Sequence, residues 1–313
     1  MTSPHDKYSA LLERCSTLAP VPTAVAHPCD VSSLTGALDA ASLGLIVPLL
    51  IGPEAKIRAV ADEADLSLGN ATIVDAPHSH AAAARAVLAV RSGEAELLMK
   101  GSLHTDELLH EVASSTTGLR TERRLSHVFA MDVPSYHKPL FITDAAVNIF
   151  PKLADKADIV RNAIELVQAL GIECPKVAIL AAVETVSDKM PSTIDAAALC
   201  KMADRGQIVG GLLDGPLAFD NAISTEAARI KGIVSPVAGD PDILLVPDLE
   251  AGNMLAKQLT FLAGAEAAGI VLGARVPIIL TSRADTVRSR IGSCAIAVLV
   301  AHARRARKTP EVM

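Results

Sequence analysis

Short apolar runs alternate with amphipathic stretches along almost the whole chain. Runs of strand length lie at 23–28 (TAVAHP), 45–52 (LIVPLLIG), 72–77 (TIVDAP) and 95–101 (AELLMKG). Two close β runs follow at 126–133 (SHVFAMDV) and 139–147 (PLFITDAAV). Further runs stand at 176–183, 208–213, 242–248 and 276–282. Between them, apolar residues recur at helical spacing. This predicts helices over 54–65, 79–93, 104–114, 155–171, 192–204, 221–231, 252–268 and 292–308. Asp30 is placed to cap the helix after the first strand, and Gly93 and Gly171 to stop two others. A strand–helix alternation of this kind predicts an α/β fold with a largely parallel sheet covered by helices on both faces. No Pro/Gly/Ser linker or repeat interrupts it, and a change of domain is expected near 140–155, after the two close β runs.

Composition sharpens the picture. Half of the 313 residues are hydrophobic, yet only 2% are aromatic, so the core is built from Ala, Val, Leu and Ile. Such residues suit buried parallel strands under helices. The net charge of −6 argues against nucleic acid as a partner, and the basic stretch 302–308 reads as a solvated helix end. Five scattered cysteines without CxxC predict reduced thiols and no zinc site. The start, MTSPHDKYSALLERC, lacks a basic segment followed by an apolar one, and the run 43–52 is too short to span a bilayer. A cytoplasmic protein off the membrane is expected.

Motif chemistry begins with what is missing. No GxGxxG follows a strand, and GxxxxGK[ST] and GxSxG are absent, so hydride transfer, P-loop chemistry and a nucleophile elbow all lose support. What remains is a series of polar residues where apolar runs end, as a shared crevice at the carboxyl ends of strands requires. Lys100 and Gly101 close one run, and Ser102 and His104 open the next helix, whose N-terminus could receive an anion. Asp144 follows PLFIT; Asp214 and Gly215 precede PLAF; Asp248 and Asn253 follow DILLVP; Thr281, Ser282, Arg283 and Asp285 follow VPIIL. His127 lies inside a β run, and Arg120 belongs to a basic cluster beside it. For most of these positions, capping a turn or helix is the simpler explanation; together they favour an anionic, phosphate-bearing ligand with no metal motif.

The segments LMKGSLHTDELL, RLSHVFAMDVPSYHKPLFITDAAVNIFP, KVAILAAVETV, KMADRGQIVGGLLDGPLAFDNAIS, DILLVPDLEAGNMLAKQL and VPIILTSRAD resemble the phosphate acetyltransferase/phosphate butyryltransferase family. They cover most of residues 20–303, and the wording is nearest to the butyryl branch and to the phosphotransacylase half of enoyl-CoA hydratase fusions. The resemblance implies a two-lobed, three-layer α/β/α fold akin to isocitrate dehydrogenase, with the active site in a cleft between lobes. It implies a first lobe of 1–143 plus 284–313, a second of 144–283, and a homodimer. It further implies reversible acyl transfer between CoA and inorganic phosphate, both substrates, with no other cofactor.

On this reading Ser282 and Arg283 fall on the family's Ser-Arg pair. Lys100, Gly101, Ser102, His104 and Arg120 are expected around phosphate or CoA, together with Asp144, Asp214, Gly215, Asn253 and Lys257. The carboxylate that acetyl-type members carry seven residues past the serine is Ser289 here, and Asp285, three past it, is the nearest substitute. His110 stands where those relatives have arginine. Arg283 suits a phosphate clamp, since its planar fork matches phosphate oxygens. Ser282 suits a developing oxyanion. Asp285 beside an arginine suits an orienting role better than a base, which leaves His127 or His104 as alternatives. Direct transfer in a ternary complex then suffices. A metal- and NAD-dependent dehydrogenase on the same fold, using Asp214, Asp220, Asp248 and Glu250, and a non-catalytic binding paralogue are the competing readings.

Overall fold

The computed structural model describes residues 6–281 and 285–308, which divide into two compact units. One comprises Tyr8–Arg123 and Ala268–Met313, the other Met1–Lys7 and Arg124–Ala267. The division falls at 123/124 and 267/268, earlier in each case than the boundaries expected from the family. The two close β runs thus belong with the middle of the chain, where the second of them finds its parallel partner.

In the terminal unit, helix α1 (Asp6–Cys15) precedes a βα succession: β1 (Val21–Ala26), α2 (Val31–Ser42), β2 (Ile46–Gly52), α3 (Glu54–Glu63), β3 (Thr72–Asp75), α4 (Ser79–Ser92), β4 (Leu97–Lys100) and α5 (Thr105–Ala113). The middle unit continues with β5 (Ser126–Asp132), β6 (Leu140–Thr143), α6 (Leu153–Ala169), β7 (Lys176–Leu180), α7 (Pro191–Asp204), β8 (Leu212–Leu217), α8 (Phe219–Ile223), α9 (Thr225–Ile230), β9 (Ile243–Leu245) and α10 (Leu249–Leu262). The chain then returns through β10 (Glu266–Leu272), β11 (Ile278–Ile279) and α11 (Val287–Lys308) to the terminal unit.

Strands of the terminal unit run in the order β3-β2-β1-β4-β11-β10, parallel except that β10 and β11 are antiparallel. Those of the middle unit run β5-β6-β9-β7-β8, parallel except for β5 against β6. The fold is therefore α/β with a mixed sheet. Residues Leu97, Leu98 and Met99 of β4 are fully enclosed, as a parallel strand covered on both faces must be. Asp30 caps α2 by accepting from Ser33 N at 2.7 Å, as the sequence predicts. Gly36 on α2 leaves room for the buried Arg290 of α11, whose Cδ lies 2.8 Å from where a Cβ would stand. No helix among the described residues is long and apolar enough to cross a membrane.

Three elements differ from the sequence pattern. Residues 266–272, partly assigned to a long helix, form β10: Gly264 takes φ +64°, which ends α10, and pairing with β11 overrides the helix preference of Ala-Glu-Ala-Ala. The strand expected at 208–213 begins only at Leu212, after Gly210 turns at φ +87°. The helix expected at 221–231 is two short ones, α8 and α9, with Ser224 capping the second through Ala227 N.

Candidate active site

In the terminal unit β1, β4 and β11 are adjacent and parallel, with Ala26 opposite Lys100 and Ile279 opposite Met99. Parallel register puts their carboxyl ends on one edge. His27 follows β1, Gly101 and Ser102 follow β4, and the buried Thr281 follows β11. Ser282 and Arg283 come next in the chain and lie outside the described residues; Asp285, beyond them, is half-buried.

The contacts at this edge are close. A Cβ on Gly101 would meet the carbonyls of Ala26 and His27, so no larger residue fits there without moving backbone. Gly101 N donates to Ala26 O at 2.9 Å and Ser102 N to His27 O at 2.9 Å, which extends the β1–β4 ladder past both strands. The Lys100 side chain is buried, with Nζ 3.2 Å from Gly101 O. Ser102 does not cap the following helix. Its Oγ donates to His27 O at 2.9 Å, accepts from Cys29 N at 3.2 Å, and lies 3.1 Å from His27 Nδ1. The N-cap of α5 is the exposed His104, which makes no side-chain capping bond. The first turn of α5 carries Asp106 and Glu107, whose charges oppose an anion docked at that helix end. His110 is exposed, as is Arg120, whose backbone bridges Ala274.

His27, which sequence reading passed over, is the centre of this edge. It adopts φ +55°, the left-handed region that few non-glycine residues enter. Burial first, then the Lys56 ammonium, lower the pKa of its ring below the usual 6.5, against opposing pulls from Glu107 and Asp30. The one signal in the sequence was its place as the last residue before proline in an apolar run.

The middle unit gathers a second group after β6 and at the start of α10, which follows β9. Asp144 is buried, and its carboxylate accepts from Ala146 N (2.9 Å), Val147 N (3.0 Å) and Asn148 N (3.2 Å) and from the Asn148 amide (2.5 Å). Asn148 also receives Arg124 Nε and donates to Leu125 O at 2.8 Å. Asn253 is not a cap; it sits inside α10 and donates to Ala145 O at 3.1 Å, whereas Asp248 caps that helix through Ala251 N at 2.9 Å. Lys257, one turn on, is exposed.

Two expectations change here. Asp214 and Gly215 do not end a strand: both lie within β8, Asp214 beside Ala178, and the Asp214 carboxylate accepts from Gly215 N at 2.8 Å. Three residues of β8 follow Asp214 before its carboxyl end is reached. His127 does not titrate near neutrality. Complete burial pushes its pKa down to about 4 in spite of the Asp144 charge, its Nδ1 lacks a hydrogen-bond partner, and its ring meets Phe129 edge-on at 4.3 Å. The carboxylates suggested for a dehydrogenase metal form no such cluster: among the described residues no three His, Cys, Asp or Glu side chains are placed to hold a metal ion. The structure thus brings Lys100, Gly101, Ser102 and His104 together at one strand edge, and His127, Asp144 and Asn253 around another.

An α/β chain with this strand order has the architecture of a phosphotransacylase. It matches the crystal structure of a branched-chain phosphotransacylase from Enterococcus faecalis V583 with a TM-score of 0.79 and 32% identity, over 90% of this chain and 99% of that one. The family described as phosphate acetyl/butaryl transferase matches residues 78–298. A phosphate acetyltransferase of Rhizobium meliloti is 67% identical over 306 residues, 98% of this chain and 97% of that protein. A phosphate butyryltransferase of Clostridium acetobutylicum is 42% identical over 278 residues, 89% and 92% of the two chains. The chain belongs to the phosphate acetyl/butyryl transferase family.

Proposed function

We infer that the protein is a phosphate acyltransferase, moving an acetyl group between CoA and inorganic phosphate. The observation that carries this is the 67% identity to a phosphate acetyltransferase across 98% of the chain. The strand edge supports it. Parallel β1, β4 and β11 deliver polar groups at one edge of the sheet, and Ser282 and Arg283 follow β11 in the sequence. The thiol of CoA is protonated at neutral pH and must lose its proton as it attacks the acyl carbonyl. Arg283 is read as the phosphate clamp and Ser282 as a donor to the carbonyl oxygen as charge develops there. Asp285 orients rather than removes a proton, and Lys100 places a buried positive charge at the same edge. Transfer is direct, in a ternary complex, so CoA and phosphate are substrates and no further cofactor enters. The reading carries with it a cytoplasmic homodimer and leaves butyryl and branched acyl groups as competing substrates.

Thiol release from acetyl-, propionyl- and butyryl-CoA, with and without phosphate, tests the assignment. Phosphate-dependent release, fastest with acetyl-CoA, is expected. Release that is indifferent to phosphate with all three would remove it.

A further inference from the structure

We propose that His27 is the base that accepts the proton of the CoA thiol in this transfer, an inference that rests on the acyltransferase reading. The position where acetyl-type members carry a carboxylate is Ser289 here, and neither histidine named as an alternative base is well placed. His127 is sealed within the middle unit, and His104 is exposed with no hydrogen bond holding its ring.

His27 has the placement these two lack. It leaves β1 on the sheet edge that also carries Gly101, Ser102 and the segment entering Ser282 and Arg283. Its backbone is fixed in a left-handed conformation at φ +55°, which is strained for a residue with a Cβ. Strain of this kind persists where the surroundings over-determine it. Here the His27 carbonyl accepts from Cys29 N, Ser102 N and Ser102 Oγ, each at 2.9 Å.

The same contacts settle the tautomer. The single Ser102 hydroxyl proton is directed to His27 O, so the 3.1 Å contact is His27 Nδ1–H donating to Ser102 Oγ. Nε2 then carries a lone pair, and it has no hydrogen-bond partner among the described residues. The half-buried ring is neutral at pH 7: burial and Lys56 of α3 disfavour its charged form more than Glu107 of α5 and Asp30 at the start of α2 favour it. It is a base held by one nitrogen and open at the other.

The step balances. The thiol proton passes to His27 Nε2 as sulfur bonds to the acyl carbon. The carbon–oxygen bond to phosphate breaks, phosphate departs with the electron pair, and the imidazolium returns its proton to solvent. In the reverse direction the imidazolium protonates the leaving thiolate.

His27→Asn isolates the role. Asparagine tolerates the left-handed backbone, and its amide stands where Nδ1 does, so the Ser102 contact survives while Nε2 is lost. The rate of CoA acylation by acetyl phosphate should fall about 100-fold or more, with KM values changed only a few-fold. In the wild type kcat/KM should decline at pH values below the ordinary histidine 6.5, and H27N should lose that limb. Unchanged turnover in H27N, or an equal loss at every pH with the limb retained, would overturn the proposal. Should H27N not fold, 15N-histidine-labelled wild type gives the same decision: saturating CoA is expected to shift the His27 titration, and a titration indifferent to CoA overturns it. Wild-type protein without phosphate-dependent turnover would instead remove the acyltransferase reading on which the proposal stands.

Discussion

The Asn148 side-chain amide donates to Asp144 Oδ2 at 2.5 Å, inside a turn where both residues are buried. The two carboxylate oxygens of Asp144 also receive three backbone N–H groups of the same turn. Asn148 is in turn held by Arg124, whose guanidinium pairs with Asp155 at 3.1 Å. A carboxylate loaded in this way organises the chain after β6.

Asp144→Ala should therefore lower stability by roughly 3 kcal/mol or more, because it strands several buried donors at once. Asp144→Asn should cost less, since one oxygen can still accept from the backbone while its amide opposes that of Asn148. Urea midpoints of the two variants measure the ranking. An alanine variant as stable as wild type would mean that the turn is held by other contacts.

His127 makes stability depend on pH. The Asp144 charge acts on its ring, yet burial outweighs that charge and holds the folded pKa at about 4, below the ordinary 6.5. Between these values the unfolded chain binds a proton that the fold excludes. The contribution is complete above pH 6.5 and is lost as pH falls toward 4, on the order of 3 kcal/mol in all. His127→Leu keeps the burial and removes the titration, so its stability should vary less across that window than wild type. Parallel wild-type and variant curves would exclude His127 as the source.

The βα rhythm was legible because buried parallel strands are short apolar runs and their helices are amphipathic. Where it failed, the cause is specific. Ala-Glu-Ala-Ala at 265–268 favours helix, and pairing with β11 makes the following residues a strand. Lys100, Gly101 and Ser102 were found because a strand end is visible in sequence. His27 was not, because its significance comes from Ser102, 75 residues away, and from a backbone angle that the sequence does not display. Asn148 escaped notice for a similar reason: its role depends on how Asp144 folds back over its own turn.

Family membership supplies a prediction for Arg283 and Asp285. Arg283→Ala should reduce turnover about 100-fold, the scale seen when one preorganised donor to a developing anion is removed. It should also raise the KM for phosphate, with unfolding unchanged. Asp285→Asn should cost less than Arg283→Ala. Rates of acetyl-CoA/phosphate exchange give the ranking, and the reverse order would restore a proton-transfer role to Asp285.

Gly101 is where the sheet edge tolerates least. A Cβ there would press on the carbonyls of Ala26 and His27, and neither is the tip of a flexible side chain that could swing away. Gly101→Ala must therefore part β1 from β4 at the point where Gly101 N and Ser102 N bond to them. An overpacked site of this kind should cost roughly 2 kcal/mol of stability. The functional loss should be larger than that figure suggests, because the same shift moves Ser102 away from His27 Nδ1. Ser102→Ala provides the comparison: it deletes the hydroxyl without forcing the backbone apart, so it should retain more turnover than Gly101→Ala. Thiol-release rates and urea midpoints on both variants decide the matter. If Gly101→Ala kept wild-type values in both measurements, the β1–β4 edge would be far more compliant than its contacts indicate, and the proposal that it belongs to the active site would fall with them.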